Sequence, residues 1–141
     1  MPQFSNTSNE KLSTCDGRLQ RILNRAIQVV DFTVVVGHRN QADQDKAFAE
    51  GKSQKKWPDG NHNALPSRAV DIAPVYYEQG AKIDWNDVVA FGRLMGVVQC
   101  IAHEMGVKLR FGLDWDGDFR TVGRDSNEKF LDAPHVELLD P

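Results

Sequence analysis

The segment Ala69-Val70-Asp71-Ile72-Ala73-Pro74 sets a carboxylate in the middle of an apolar, β-branched run. In a strand, neighbouring side chains point to opposite faces, so Asp71 points away from Val70 and Ile72. An unpaired buried charge is costly, so any fold that buries this strand must bring Asp71 a partner. A metal ion is one such partner. The four histidines, His38, His62, His103 and His135, are then the side chains to weigh beside it.

His62 lies in the polar stretch Lys52 to Pro66, broken by Pro58, Gly60 and Pro66, just before the Asp71 strand. A long loop of this kind in a small domain is often functional. His135 lies in Asp132-Ala133-Pro134-His135-Val136-Glu137, where His135 and Glu137 share one face of an expected strand. Two imidazoles and one carboxylate leave a fourth tetrahedral position open, the pattern of catalytic rather than structural zinc. Zinc lowers the pKa of water to about 7, and a nearby carboxylate must then carry the proton. Asp132 is the best-placed candidate. On residue pattern alone, a solvated loop histidine and a turn-capping aspartate remain the alternatives.

The rest of the chain supplies a frame for that site. Leu12, Cys15, Leu19, Ile22, Leu23, Ala26 and Val30 recur at helical spacing and predict one amphipathic helix, with Gly17 a weak point in it. Phe32 to Val36 predicts a buried strand, and Gln41 to Glu50 a short helix closed by Gly51. Asp84 is the expected N-cap of a long helix running to about Met105. Its expected buried stripe is Trp85, Val88, Val89, Met95, Val98, Ala102 and Met105. Lys108 to Phe111 and Pro134 to Leu138 read as strands, and Gly112 to Asn127 as a loop. Helices and strands do not alternate regularly, so the expected class is α+β: a small antiparallel sheet with helices packed on one side.

Composition bounds the function. A chain of 141 residues, 40% hydrophobic, fits one domain spanning 1–141. A net charge of −3, with no basic run, argues against nucleic acid and against stable membrane association. The N-terminus MPQFSNTSNEK has no signal-peptide pattern, and no stretch is apolar enough to span a bilayer. The expectation is a protein made in the cytoplasm. Cys15 and Cys100 show no CxxC spacing, and both read as buried free thiols, with a disulfide still open.

Three blocks carry a resemblance. They are Gly37-His38-Arg39 followed by Gln44; His62 with Pro66-Ser67-Arg68-Ala69-Val70-Asp71; and Asp132-Ala133-Pro134-His135-Val136-Glu137. In this order they resemble the D-Ala-D-Ala metallopeptidase family, which includes vancomycin-resistance dipeptidases and carboxypeptidases and the L-alanyl-D-glutamate endolysins of phages. Two departures stand out. His62 and Asp71 are nine residues apart, longer than the commonest family spacing, which would place the ligand at Ala64. Asp132 stands where several relatives have Glu.

The resemblance implies roles. His62, Asp71 and His135 would hold one zinc ion, and Asp132 would act as general base and then general acid. Arg39 would stabilise the oxyanion or anchor a substrate carboxylate, with a surface salt bridge as the competing reading. Ser67 would contact substrate or only shape its loop. Glu137 would orient a ligand histidine or face solvent. His38 and His103 read as structural or solvated. Asp114-Trp115-Asp116-Gly117-Asp118 resembles the start of a calcium loop, but Asp125 stands where that loop needs Glu. A polar turn with Trp115 walling the substrate groove is the favoured reading, with calcium at Asp114, Asp116 and Asp118 the lesser one.

The function so implied is a monomeric, phage-type endolysin with no separate wall-binding domain. It would cut the L-Ala–D-Glu bond of peptidoglycan stem peptides after release through a holin-type membrane hole. A D-Ala-D-Ala carboxypeptidase or dipeptidase is the alternative enzyme. A non-catalytic zinc-binding module on a hedgehog-like fold is the alternative from another class.

Overall fold

The computed structural model describes residues 2–76, 82–120 and 131–139. Two short helices open the chain, α1 (Asn6–Leu12) and α2 (Gly17–Ala26). They replace the single helix expected from periodicity. Residues 14–16 leave the helix to pair with Ser67: Ser67 N–H donates to Thr14 O and Asp16 N–H to Ser67 O, both at 2.8 Å. Asp16 then restarts the helix as its N-cap, accepting from Arg18 N–H at 2.9 Å. The apolar period runs through this break because Leu12, Cys15, Leu19, Ile22, Leu23 and Ala26 are all buried on either side of it. Periodicity therefore could not reveal it.

The strand β1 (Phe32–Val36) leads to α3 (Gln41–Ala49), capped by Asn40, whose side chain accepts from Asp43 N–H. A loop runs from there to β2 (Ala69–Pro74). The long helix α4 (Val88–Glu104) starts later than expected. Asp87 is its cap, accepting from Ala90 N–H, while Asp84 accepts from Asn86 N–H in the turn before. The stripe shifts accordingly. Phe91, Leu94, Met95, Val98, Ile101 and Ala102 are buried, whereas Trp85, Val88, Val89 and Met105 are exposed. Trp85 lies outside the helix and stacks on Phe91 at 5.9 Å. Full burial of one such aromatic side chain contributes roughly 1.5–3 kcal/mol.

The strands β3 (Leu109–Phe111) and β4 (His135–Leu138) complete a four-stranded antiparallel sheet in the order β1-β2-β4-β3. The architecture is α+β. Alternation splits the sheet into two unlike faces. Val34, Val70, Ile72, Val136 and Leu138 point into the core, where α4 packs on β2 and β3 and α2 packs on α4. Asp71, His135 and Glu137 occupy the opposite face. Cys15 is buried, and desolvation pushes its thiol up to about 11, so it is inert. Cys100, expected to be buried, is exposed because it falls outside the stripe of α4. Both thiols are free. No helix among the described residues is long and apolar enough to cross a membrane.

Candidate metal centre

Strand register makes half of the site. Asp71 of β2 and His135 of β4 are direct partners in the antiparallel ladder, so their side chains rise side by side from one face. The loop makes the other half. His62 reaches over the end of β1 and places Nε2 3.1 Å from Asp71 Oδ1 and 3.2 Å from His135 Nδ1. His135 Nδ1 lies 3.2 Å from the same Asp71 oxygen. All three residues are buried.

The outer hydrogen bonds fix which ring nitrogens are bare. Gly37 O lies 2.8 Å from His62 Nδ1, and a carbonyl only accepts, so Nδ1 carries the hydrogen. Glu137 Oε1 lies 2.8 Å from His135 Nε2 and likewise takes its N–H. Neutral imidazoles therefore turn two lone pairs and a carboxylate oxygen toward one point. Such a convergence could hold a metal ion, and its donors fit one of the zinc type. Without a metal a proton answers the same need. Burial opposes charge on His135, but Asp71 and Glu137 outweigh it and push its pKa up to about 9. Burial likewise raises Asp71, yet the two histidines hold its carboxyl far below the usual range.

Glu137 is itself tethered. Its Oε2 accepts from Arg110 Nη2 at 2.7 Å, Arg110 Nε at 3.2 Å and Asn61 Nδ2 at 2.8 Å. Burial raises its pKa, but His135 and then Arg110 bring it down to about 2, so it stays an anion. Arg110 in turn lies over the Trp115 ring at 5.7 Å, and that ring sits 5.4 Å from the ring of His135. One wall of the cleft is thus linked to the ligand sphere.

Asp132 places Oδ2 3.9 Å from His135 Nδ1, at the open side of the triad. Burial and then the Asp71 charge raise its pKa above the ordinary aspartate value. Its backbone is held by Gly112: Asp132 N–H donates to Gly112 O at 2.8 Å. A Cβ at position 112 would meet Asp132 O at 2.1 Å, so only glycine permits this approach. Arg39 sets Nη2 3.7 Å from Asp71 Oδ2. Arg39, Lys55, Arg110, Trp115 and Asp132 line one cleft of about 570 Å³ together with the two histidines.

The other expected residues fall elsewhere. Ser67 is fully buried, donates to Ala69 O at 2.6 Å and shapes the turn into β2 without lining the cleft. His38 contacts Ala64 O at 3.0 Å, and His103 lies near the end of α4. Asp114, Asp116 and Asp118 do cluster, but on the outside. Asp114 accepts the N–H groups of Asp118 and Phe119, and Asp116 also accepts that of Asp118. Asp125 and residues 121–127 of the expected loop lie outside the described residues. Sequence reasoning missed the tethers Asn61, Asn63 and Arg110. Their only signal was position: the two asparagines flank His62, and Arg110 alternates in a strand.

Comparison with known proteins places the chain in a family. A family model described as phage L-alanyl-D-glutamate peptidase matches residues 1–139. The L-alanyl-D-glutamate peptidase of Escherichia phage T5 is 36% identical over 141 residues, spanning 97% of this chain and 98% of that protein. The crystal structure of the Serratia marcescens L-Ala D-Glu endopeptidase ChiX matches at a TM-score of 0.72 and 22% identity. It covers 96% of this chain and 90% of that one, and so shares the fold. By a match over nearly its whole length, the chain belongs to the phage L-alanyl-D-glutamate peptidase family and is a peptidase.

Proposed function

We propose that this chain hydrolyses the L-Ala–D-Glu bond of peptidoglycan stem peptides with one zinc ion held by His62, Asp71 and His135. The observation that carries the reading is the convergence of three buried donor atoms on one point, with Asp132 at its open side. The family name supplies the bond.

Zinc, when bound, supplies the Lewis acidity that makes water a nucleophile near neutral pH. The chain's own groups do the rest. Asp132 takes a proton from the attacking water and returns it to the departing D-Glu amine as the C–N bond breaks. Its raised pKa suits both halves of that transfer. Arg39 faces the negative charge that develops on the carbonyl oxygen, or a carboxylate of the substrate. Glu137 keeps His135 in the tautomer that leaves Nδ1 bare. Trp115 walls the groove beside the metal centre.

The enzyme would act as a monomer of one catalytic domain spanning 1–141, made inside the cell and reaching the wall through a holin-type hole. Calcium at Asp114, Asp116 and Asp118 is the lesser reading for a second ion. All-oxygen donors suit a hard cation there, and calorimetric titration with calcium checks it.

The decisive experiment treats purified peptidoglycan with zinc-loaded protein and identifies the new termini by mass spectrometry. A new N-terminal D-Glu is expected, abolished by chelator and restored by zinc. Released D-Ala would instead make the enzyme a carboxypeptidase, and an intact wall would leave a binding module.

A further inference from the structure

The cleft contains a buried side chain that the mechanism above does not use. Gln44, on α3, is 1% exposed. Its amide makes every hydrogen bond an amide can make. Oε1 accepts from Arg39 Nη1 at 3.1 Å and from Asn63 Nδ2 at 3.0 Å. Nε2 donates to Ser53 Oγ at 3.0 Å and to Lys55 O at 2.7 Å. The orientation is forced: a flipped amide would set its NH2 against the Arg39 guanidinium and its oxygen against Lys55 O.

Arg39 depends on this contact. Asp71 Oδ2 is 3.7 Å away, beyond hydrogen-bond length. Among the described residues, Gln44 therefore makes the only hydrogen bond to the Arg39 guanidinium. Its remaining N–H groups stay available to a ligand. The choice of a neutral acceptor matters. A carboxylate at position 44 would also accept from the guanidinium, but it would pair with its charge and lose the bond to Lys55 O. An amide orients Arg39 without adding a second anion to the Asp71 carboxylate that already lies 3.7 Å from it.

We infer that Gln44 is a positioning residue that aims Arg39 into the cleft without neutralising it. The same amide fixes the rim segment Ser53–Lys55 relative to Arg39, so arginine and rim move as one unit. Asn63 extends the unit to the metal ligand beside it. Its Nδ2 donates to Arg39 O at 3.2 Å, and Arg39 N–H donates to His62 O at 2.8 Å. The inference rests on the reading of Arg39 as a residue that faces substrate.

A double-mutant cycle on the zinc-loaded enzyme tests it, with kcat, KM and zinc content measured for each protein. Gln44→Met is expected to lower kcat roughly tenfold to a hundredfold, the cost of a misplaced group in the site. Zinc content should not change. Gln44→Glu keeps the acceptor for Arg39 but pairs the guanidinium and sets a second oxygen against Lys55 O, and it too should lower kcat. If Gln44→Met does not fold, Gln44→Asn, which keeps the amide but withdraws it by one methylene from Arg39, carries the cycle. In an Arg39→Ala background neither substitution should slow the enzyme further, because its effect runs through Arg39. Multiplicative losses in that background would overturn the role of Gln44 and leave that of Arg39 intact. An Arg39→Ala enzyme as fast as wild type would overturn the reading of Arg39 and the inference with it. A zinc-loaded wild type that leaves peptidoglycan intact would overturn the proposed function instead.

Discussion

The site has a strand-built half and a loop-built half, and they are held in different ways. Asp71 and His135 are direct ladder partners, so backbone hydrogen bonds of the sheet set their separation. His62, Arg39 and Asp132 sit on connections and are placed by a few contacts each, among them Gly37 O for His62, Gln44 for Arg39 and Gly112 for Asp132. A ladder position is over-determined, because moving one residue means moving the strand. A loop position depends on whichever one or two groups it touches. The strand half should therefore govern whether metal binds. The loop half, His62 apart, should govern what the bound metal accomplishes.

The largest expected effect tests the strand half. His135→Ala removes one of three donors and leaves Asp71 and His62 facing each other, so stoichiometric zinc and hydrolysis should both be lost. Elemental analysis after desalting checks this. Zinc retained at one per chain would mean the donors lie elsewhere.

Asp132→Ala tests the opposite half. Zinc content should match wild type, while the rate falls roughly 10²–10⁴-fold, the usual contribution of a proton-transfer group. Full activity would remove Asp132 from the mechanism, and lost zinc would break the division between the halves.

Glu137→Gln comes next. Losing the anion that fixes the His135 tautomer should weaken zinc roughly 10–100-fold, read by competition with a chromophoric chelator. Proton competition gives a related effect of known sign. Below about 9 the metal-free site carries a proton on His135, which zinc must displace. Zinc affinity should therefore rise about tenfold per pH unit and level off above that pH. A flat profile from about pH 6 to about pH 8 would show that no proton is released.

The smallest effect concerns the support under His62. A Cβ on Gly37 would meet Lys11 O at 2.3 Å and Thr14 Oγ1 at 2.4 Å. Gly37→Ala should cost roughly 1–3 kcal/mol of stability through overpacking. Zinc affinity should fall with it, because Gly37 O moves away from His62. A thermal melt and a zinc titration separate the two effects.

The same division decides what could be read in advance. Asp71 was legible because a carboxylate between Val70 and Ile72 demands a partner whatever surrounds it. His135 and Glu137 were legible as one strand face. The strands themselves were visible in β-branched runs such as Phe32–Val36. The break between α1 and α2 was not, because the cue lies in Ser67, far along the chain, whose backbone pairs with residues 14–16. The start of α4 was misplaced because Asp84 and Asp87 are both competent caps, and it is Asp87 that takes the Ala90 N–H while Asp84 takes that of Asn86 in the turn before. Gln44 appeared as part of a block near Arg39, but its fourfold bonding joins residues 39, 53, 55 and 63 and has no local signature.

The sequence by itself determined the donor chemistry: which carboxylate must be satisfied, which histidines stand near strands, and that the class is α+β. These follow from local rules, alternation along a strand and the cost of burying charge, which act on neighbours in the chain. Tertiary structure decided the convergence. The pairing of Asp71 with His135 is a matter of register between β2 and β4, and His62 is brought to them by Gly37 O on its ring and Arg39 N–H on its carbonyl. Such contacts join residues far apart in sequence, and their energies exist only once the sheet has formed.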